Sequence, residues 1–236
     1  LAALFAPILA KLFGWNNVFG LALIPLVVAF VVYMVFAKDS PDQPAPKAIA
    51  AYAEVLKDKD AWWFMLFYGV SFGGFVGLSG SLAIWFSDNF DLTPITAGYC
   101  MAACVFTGSL VRPLGGALAD RIGGIKTLSY VYFLAAVTLT VISMGPATLP
   151  LALALFILVM GTLGIGNGAV FQLVPQRFRN EIGVMTGLVG FAGGVGGFYL
   201  ASSLGFAQKM TGSSGPGFLI FAALSLTALL GLTSVK

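Results

Sequence analysis

From Thr127 to Gln176 the chain runs fifty residues without an Asp, Glu, Lys or Arg. No soluble domain can hide such a stretch under a polar skin. One helix needs only roughly 20 residues to cross a bilayer, so the run is too long for a single span. Gly145-Pro146 and Pro150 divide it into two, because such punctuation favours a turn. Further uncharged runs cover 18–37, 61–87, 92–111, 182–208 and 210–235, which makes seven spans. Composition agrees, with 59% hydrophobic and 9% charged residues and a mean hydropathy of +0.98, against about 25% charged residues in a soluble domain. Backbone polar groups in lipid must be paired internally, which leaves helices or a closed barrel. A barrel strand alternates in polarity, whereas Leu21 to Phe36 is apolar at nearly every position. The expected fold is an all-α integral membrane protein.

The placement of charge predicts the orientation. The 38–60 connection carries Lys38, Lys47, Lys57 and Lys59, and the same face holds Arg121, Lys126, Arg177, Arg179 and Lys236. Lys11 and Lys209 alone fall on the opposite face, and Arg112 lies inside a span. Positive residues stay cytoplasmic, so the C-terminus is expected inside. Residues 1–13 are apolar but too short to span, and the chain has no initiator Met. They read as the remnant of a truncated helix, and the chain as a fragment. Residues 17–37 form the next span. Residues 38–60 form a linker, extended at Pro41, Pro44 and Pro46, with an amphipathic helix carrying Ile49, Tyr52, Ala53 and Leu56. Residues 61–236 then hold six spans, at about 61–87, 94–117, 126–145, 150–174, 183–207 and 216–235.

Glycine is abundant, at 30 of 236 residues, and much of it is spaced at helical intervals. Gly69, Gly73 and Gly77 share a face, as do Gly183, Gly187, Gly190, Gly194 and Gly197. Small residues three or four apart let helices approach closely. The density from Gly187 to Gly197, including Gly193, exceeds what one packing face requires. It suits backbone exposed to a small ligand.

Arg112 is the one charge well inside a span, a placement that costs roughly 2.5–3.5 kcal/mol on insertion scales. No Asp or Glu lies deep in any span to neutralise it. It reads as an anion ligand, with snorkelling to the surface or a structural pair as the alternatives. Gly108, Gly115 and Gly116 clear space on its face, and Pro113 predicts a bend. Tyr68 and Phe72 are one turn apart, with Phe75 on the same stripe. They read either as packing or as a stacking wall for a planar anion whose oxygens meet Arg112. Asn167 is a lone amide in an apolar span. Helix–helix bonding and substrate bonding both fit it.

Gly116-Ala-Leu-Ala-Asp120-Arg121-Ile-Gly123 reads locally as a tight loop with a capping Asp. It also matches the loop signature of the major facilitator superfamily. Gly161-x-x-Gly-x-Gly-Asn167-Gly-Ala-Val-Phe-Gln-Leu-Val-Pro175, the glycine-rich 186–198 segment, Ser109-Leu-Val-Arg112-Pro-Leu-Gly-Gly and Tyr68…Phe72 together resemble the nitrate/nitrite porter family, over essentially the whole chain. The resemblance implies the C-terminal six-helix half of a twelve-helix fold. It further implies that Arg112 clamps substrate, that Tyr68 and Phe72 contact it, that 187–197 is a nitrate-signature motif and that the 116–123 loop helps hold the inward gate closed. A first-half arginine and a first signature motif would complete the family's site and are not in this sequence.

The expected function is secondary active transport of nitrate or nitrite across a bacterial cytoplasmic membrane by alternating access. Another small anion, a carboxylate or organophosphate, and a non-transporting sensor on the same fold are the alternatives. An enzyme is disfavoured because there is no His and no nucleophile–base pair, and without a Cys or His cluster no metal or other cofactor is expected. A channel is disfavoured because one arginine makes no charged ring. The expected partners are the anion, the lipid bilayer and the missing N-terminal half, and not nucleic acid.

Overall fold

The computed structural model describes residues 2–38 and 49–235. Among them are ten helices and no strand: α1 (Ala2–Phe13), α2 (Trp15–Phe36), α3 (Ile49–Val55), α4 (Lys59–Phe90), α5 (Pro94–Leu110), α6 (Arg112–Ile122), α7 (Gly124–Ser143), α8 (Leu149–Arg177), α9 (Ile182–Thr211) and α10 (Gly215–Gly231). The helices α2, α4, α7, α8 and α9, and α5 with α6 taken together, are long and apolar enough to cross a membrane. The 17 residues of α10 sit at the short end of the range of about 17–25 for a span.

Local chemistry explains where the helices stop. The Asp58 side chain accepts from the Asp60 N–H to open α4, and Thr93 accepts from Thr96 N–H ahead of Pro94 to open α5. Gly145, at φ +76°, separates α7 from α8, so the fifty-residue run is divided where its Gly-Pro pair predicts. Gly123 alone joins α6 to α7, at φ +95°, a backbone setting that side chains with a Cβ resist. The span expected at 94–117 is two helices that meet at Val111. Pro113 has no N–H for the Ser109 carbonyl, yet bonds from Val111 N–H to Thr107 and from Gly115 N–H to Val111 carry the ladder across. Several helices outrun the uncharged runs, since residues such as Lys59 and Asp88 are helical where water can still reach them.

Helix α4 is central, packing along α9 and against α5, α8 and α10, while α8 also touches α5, α6 and α7. Gly73 and Gly77 of α4 meet Gly196, Gly197 and Leu200 of α9 so closely that a Cβ at Gly73 would lie 2.7 Å from Gly196 Cα. The core is strongly aromatic, with Phe64, Phe67, Phe86, Tyr132, Phe156, Phe218 and Phe221 fully buried. At one end of the bundle Arg177 ties α8 to the start of α4, donating to Asp60 at 2.6 Å and to Asp58 at 2.9 Å. Large apolar side chains such as Leu110, Leu114, Phe133 and Phe191 point outward, as they must where lipid is the solvent. Helix α1 packs on α5 and α2, and α2 buries no residue.

The Pro41–Pro46 part of the linker lies outside the described residues. Of the stripe expected on α3, the Ile49 side chain lies outside the described residues. Among the described side chains of α3, Val55 is buried and Tyr52 and Ala53 are exposed, while Leu56 lies beyond the helix in the tight turn that leads into α4.

Candidate functional site

The backbone around Arg112 is held by glycines. A Cβ at Gly164 would fall on the Gly108 carbonyl oxygen, one at Gly168 on the Arg112 carbonyl oxygen and one at Gly115 on the Ile165 carbonyl oxygen. Helices α5, α6 and α8 are therefore in backbone contact, as small-residue faces permit in membranes. Arg112 sits at the first position of α6, beside Pro113, which removes one rung of the ladder. Its side chain runs to α4, with the guanidinium carbon 4.5 Å from the Phe75 ring centre and 5.4 Å from that of Phe72.

The aromatic pair expected from sequence is formed. Tyr68 and Phe72 stack with ring centres 4.9 Å apart and planes 4° from parallel. Phe171 of α8 meets Tyr68 edge-on at 4.8 Å. On the other side Gly193 of α9 fits against this pair, since a Cβ there would lie 2.7 Å from Tyr68 Cδ1 and 2.8 Å from Phe72 Cδ1. Gly193 thus makes room for the rings, whereas Gly190 and Gly194 present open backbone with nothing within 4 Å of a Cβ. The wall is stacked and backed by glycine, with Tyr68 buried and Phe72 half-buried.

The polar groups here lack protein partners. No ion pair among the described residues includes Arg112, and its Nε is buried without a hydrogen bond. Both amide atoms of Asn167 are likewise buried and unpaired, whereas the buried Ser71 hydroxyl lies beside that of Tyr132. Asn167 lies one turn before Phe171, on the α8 face that reaches α4. Of the two readings open in the sequence, no helix–helix bond to Asn167 is formed among the described residues. An unpaired buried polar group costs about 1–3 kcal/mol. Replacing Asn167 with Leu is therefore expected to raise the thermal unfolding temperature while weakening substrate binding. A fall in both stability and binding in a melting series would return Asn167 to a packing role.

A family model described as Major Facilitator Superfamily matches residues 1–201. The chain belongs to the Major Facilitator Superfamily. It is 31% identical over 225 residues to the nitrite extrusion protein of Bacillus subtilis, covering 94% of this chain and 56% of that protein. It is 31% identical to a probable nitrate transporter of Staphylococcus carnosus, over 95% of this chain and 58% of the relative. A probable nitrate/nitrite antiporter of Thermus thermophilus is 27% identical, over 92% and 53%. The chain thus spans a little over half the length of these curated relatives. The relatives are transporters and an extrusion protein, not enzymes, and the resemblance carried by the motifs holds. With its long apolar helices, this superfamily member is a multi-pass membrane protein.

The superfamily loop signature falls at the α6–α7 joint. Asp120 accepts a 2.9 Å hydrogen bond from Gln172 Nε2 of α8, so it docks on a neighbouring helix. It does not cap α7, whose N-cap is Gly123 without a side-chain bond. Arg121 is exposed, and Gly116 is nearly unconfined, its Cβ position 3.9 Å from the Gly168 oxygen. Asp120 is eight residues from Arg112, about 12 Å along a helix. The loop and the aromatic site are therefore separate constellations.

Sequence reasoning does not single out Gln172, Phe171, Ser71 or the Arg177–Asp58–Asp60 cluster. Their partners are 52 to 119 positions away in the chain where bonds are formed, and no spacing rule connects such residues. Phe75 had a signal, three residues after Phe72 on one helical stripe.

Proposed function

We propose that this chain forms the C-terminal six-helix half, residues 61–236, of a transporter that moves nitrate or nitrite across a bacterial cytoplasmic membrane by alternating access. The observation that carries this reading is Arg112: a guanidinium inside a span, without an ion-pair partner among the described residues, beside a stacked aromatic wall. An anion supplies the missing charge, and a planar one fits beside the stacked Tyr68–Phe72 pair while two oxygens meet the arginine fork. Asn167 adds an amide donor, and Gly190 and Gly194 let the anion approach backbone. The names of the relatives support nitrate and nitrite over other anions. The 116–123 loop, held to α8 through Asp120 and Gln172, helps keep the inward gate closed. The cytoplasmic C-terminus follows from the positive charge on the linker face. The substrate site of such a fold lies at the interface between two halves, which rock about it.

The test is saturable uptake of labelled nitrate by the full-length transporter in liposomes, competed by nitrite, lactate and glycerol phosphate. Competition by nitrite alone is expected. Uptake competed by the carboxylate or the phosphate ester, and not by nitrite, would move the substrate to that class.

Gly194→Ala separates a ligand role from packing. Its Cβ site is empty, and Ala in a helix interior is favoured over Gly by roughly 0.5–1 kcal/mol. Stability is expected to hold or rise while nitrate affinity falls, as read by titration and melting on one preparation. Unchanged affinity would place the open face outside the anion path.

A further inference from the structure

We propose that Phe75 is a positioning residue for Arg112, holding the guanidinium flat so that its N–H fork faces the anion site. This deepens the reading of Arg112 as an anion ligand and rests on it. Phe75 is nearer to the guanidinium carbon than Phe72, at 4.5 Å against 5.4 Å, and is only 6% exposed. The ring is held in place from behind. A Cβ at Gly108 would lie 2.6 Å from Phe75 Cε2, so the ring occupies space that glycine leaves. Tyr68, Phe72, Arg112 and Phe75 thus form one chain of ring and cation contacts along α4.

The chemistry of each group matters. A phenyl face attracts a cation through its quadrupole but has no hydrogen-bonding atom to compete for the N–H groups. The guanidinium donors lie in its plane, so a ring on its face leaves the donor edge free. Without that ring the long side chain can rotate among its rotamers, and two-point recognition of a planar anion is lost.

The test uses purified full chain in lipid nanodiscs and reads Arg112 directly. Phenylglyoxal labels a guanidinium that is accessible and able to give up its charge, and peptide mapping compares Arg112 with the exposed Arg121 in each sample. Phe75→Leu and Phe75→Met, which remove the ring at similar volume, are expected to label Arg112 about three- to tenfold faster, given the usual strength of cation–π contacts. Phe75→Tyr, which keeps the ring, is expected to label as the wild type does. In the same samples the ring-less variants should bind nitrate about three- to tenfold more weakly with little change in unfolding temperature. Equal labelling of Arg112 in wild type and both ring-less variants overturns the proposal, whatever nitrate does. Faster labelling in a protein whose wild type binds no nitrate upholds the role of Phe75 and removes the nitrate reading.

Discussion

Arg112→Lys is expected to weaken nitrate binding roughly 10- to 100-fold while leaving the protein folded and inserted, since a hydrogen bond to a charged group contributes about 1.5–3 kcal/mol. The charge survives this substitution and the geometry does not. Lysine presents a compact ammonium on a flexible stem, without a planar fork to span two oxygens. It also lacks the delocalised cation whose central carbon lies 4.5 Å from the Phe75 ring centre and 5.4 Å from that of Phe72 in the wild type. Equilibrium titration at matched protein amounts is the measurement, with nitrate and nitrite compared in both proteins. Equal affinities would place Arg112 outside the binding site and take away the main support for an anion substrate.

Gly168→Ala is expected to cost much stability, as are alanines at Gly115 and Gly164, whose Cβ positions also fall on backbone of the facing helix. A Cβ at Gly168 would fall on the Arg112 carbonyl oxygen and lie 2.7 Å from the Gly116 nitrogen. Both are backbone atoms of a packed helix, so neither can rotate aside. Overpacking costs about 1–3 kcal/mol where side chains can adjust, and more where they cannot. The controls are Gly161→Ala, whose Cβ would be an ordinary 3.8 Å from Thr107 Cγ2, and Gly116→Ala, at 3.9 Å from the Gly168 oxygen. Thermal melts in one detergent should show a large shift for Gly168→Ala and a small one for the controls. Because the clash falls on Arg112 itself, affinity in any folded fraction should drop as well. If Gly168→Ala melts with the controls, α6 and α8 are not in backbone contact.

These two expectations meet at one structural device. The contact between α5, α6 and α8 depends on glycines, and it delivers Arg112 from a helix break to the rings of α4. The glycines at 108, 164 and 168 are packed against backbone or side chains of neighbouring helices and act through that placement. Gly193 behaves similarly toward Tyr68 and Phe72, whereas Gly190 and Gly194 are free to face a ligand.

Much of this was legible in the residues. The uncharged runs, and the Gly-Pro pair that divides the longest, follow from the cost of charge and of unpaired backbone in lipid. Tyr68, Phe72 and Phe75 share a stripe because they are four and three residues apart on one helix. Arg112 stood out because a charge in a span needs a reason. The burial of Val55 was not legible, because how a short helix sits against the bundle is decided by contacts distant in sequence. Nor was the partner of Asp120, since Gln172 is 52 residues away and one polar side chain near a helix end carries no address.

The sequence by itself determined that this chain crosses a membrane as helices, where those helices are punctuated and which charge stands alone inside one. Those properties depend on transfer free energies and local backbone chemistry, which act residue by residue. Only the tertiary structure decided that Phe75 carries the guanidinium, that Gly193 backs the rings while Gly190 and Gly194 stay open, and that Asn167 finds no partner on a neighbouring helix. Those outcomes depend on how helices distant in sequence dock. Close backbone packing converts a missing methyl on one helix into the position of a side chain on another.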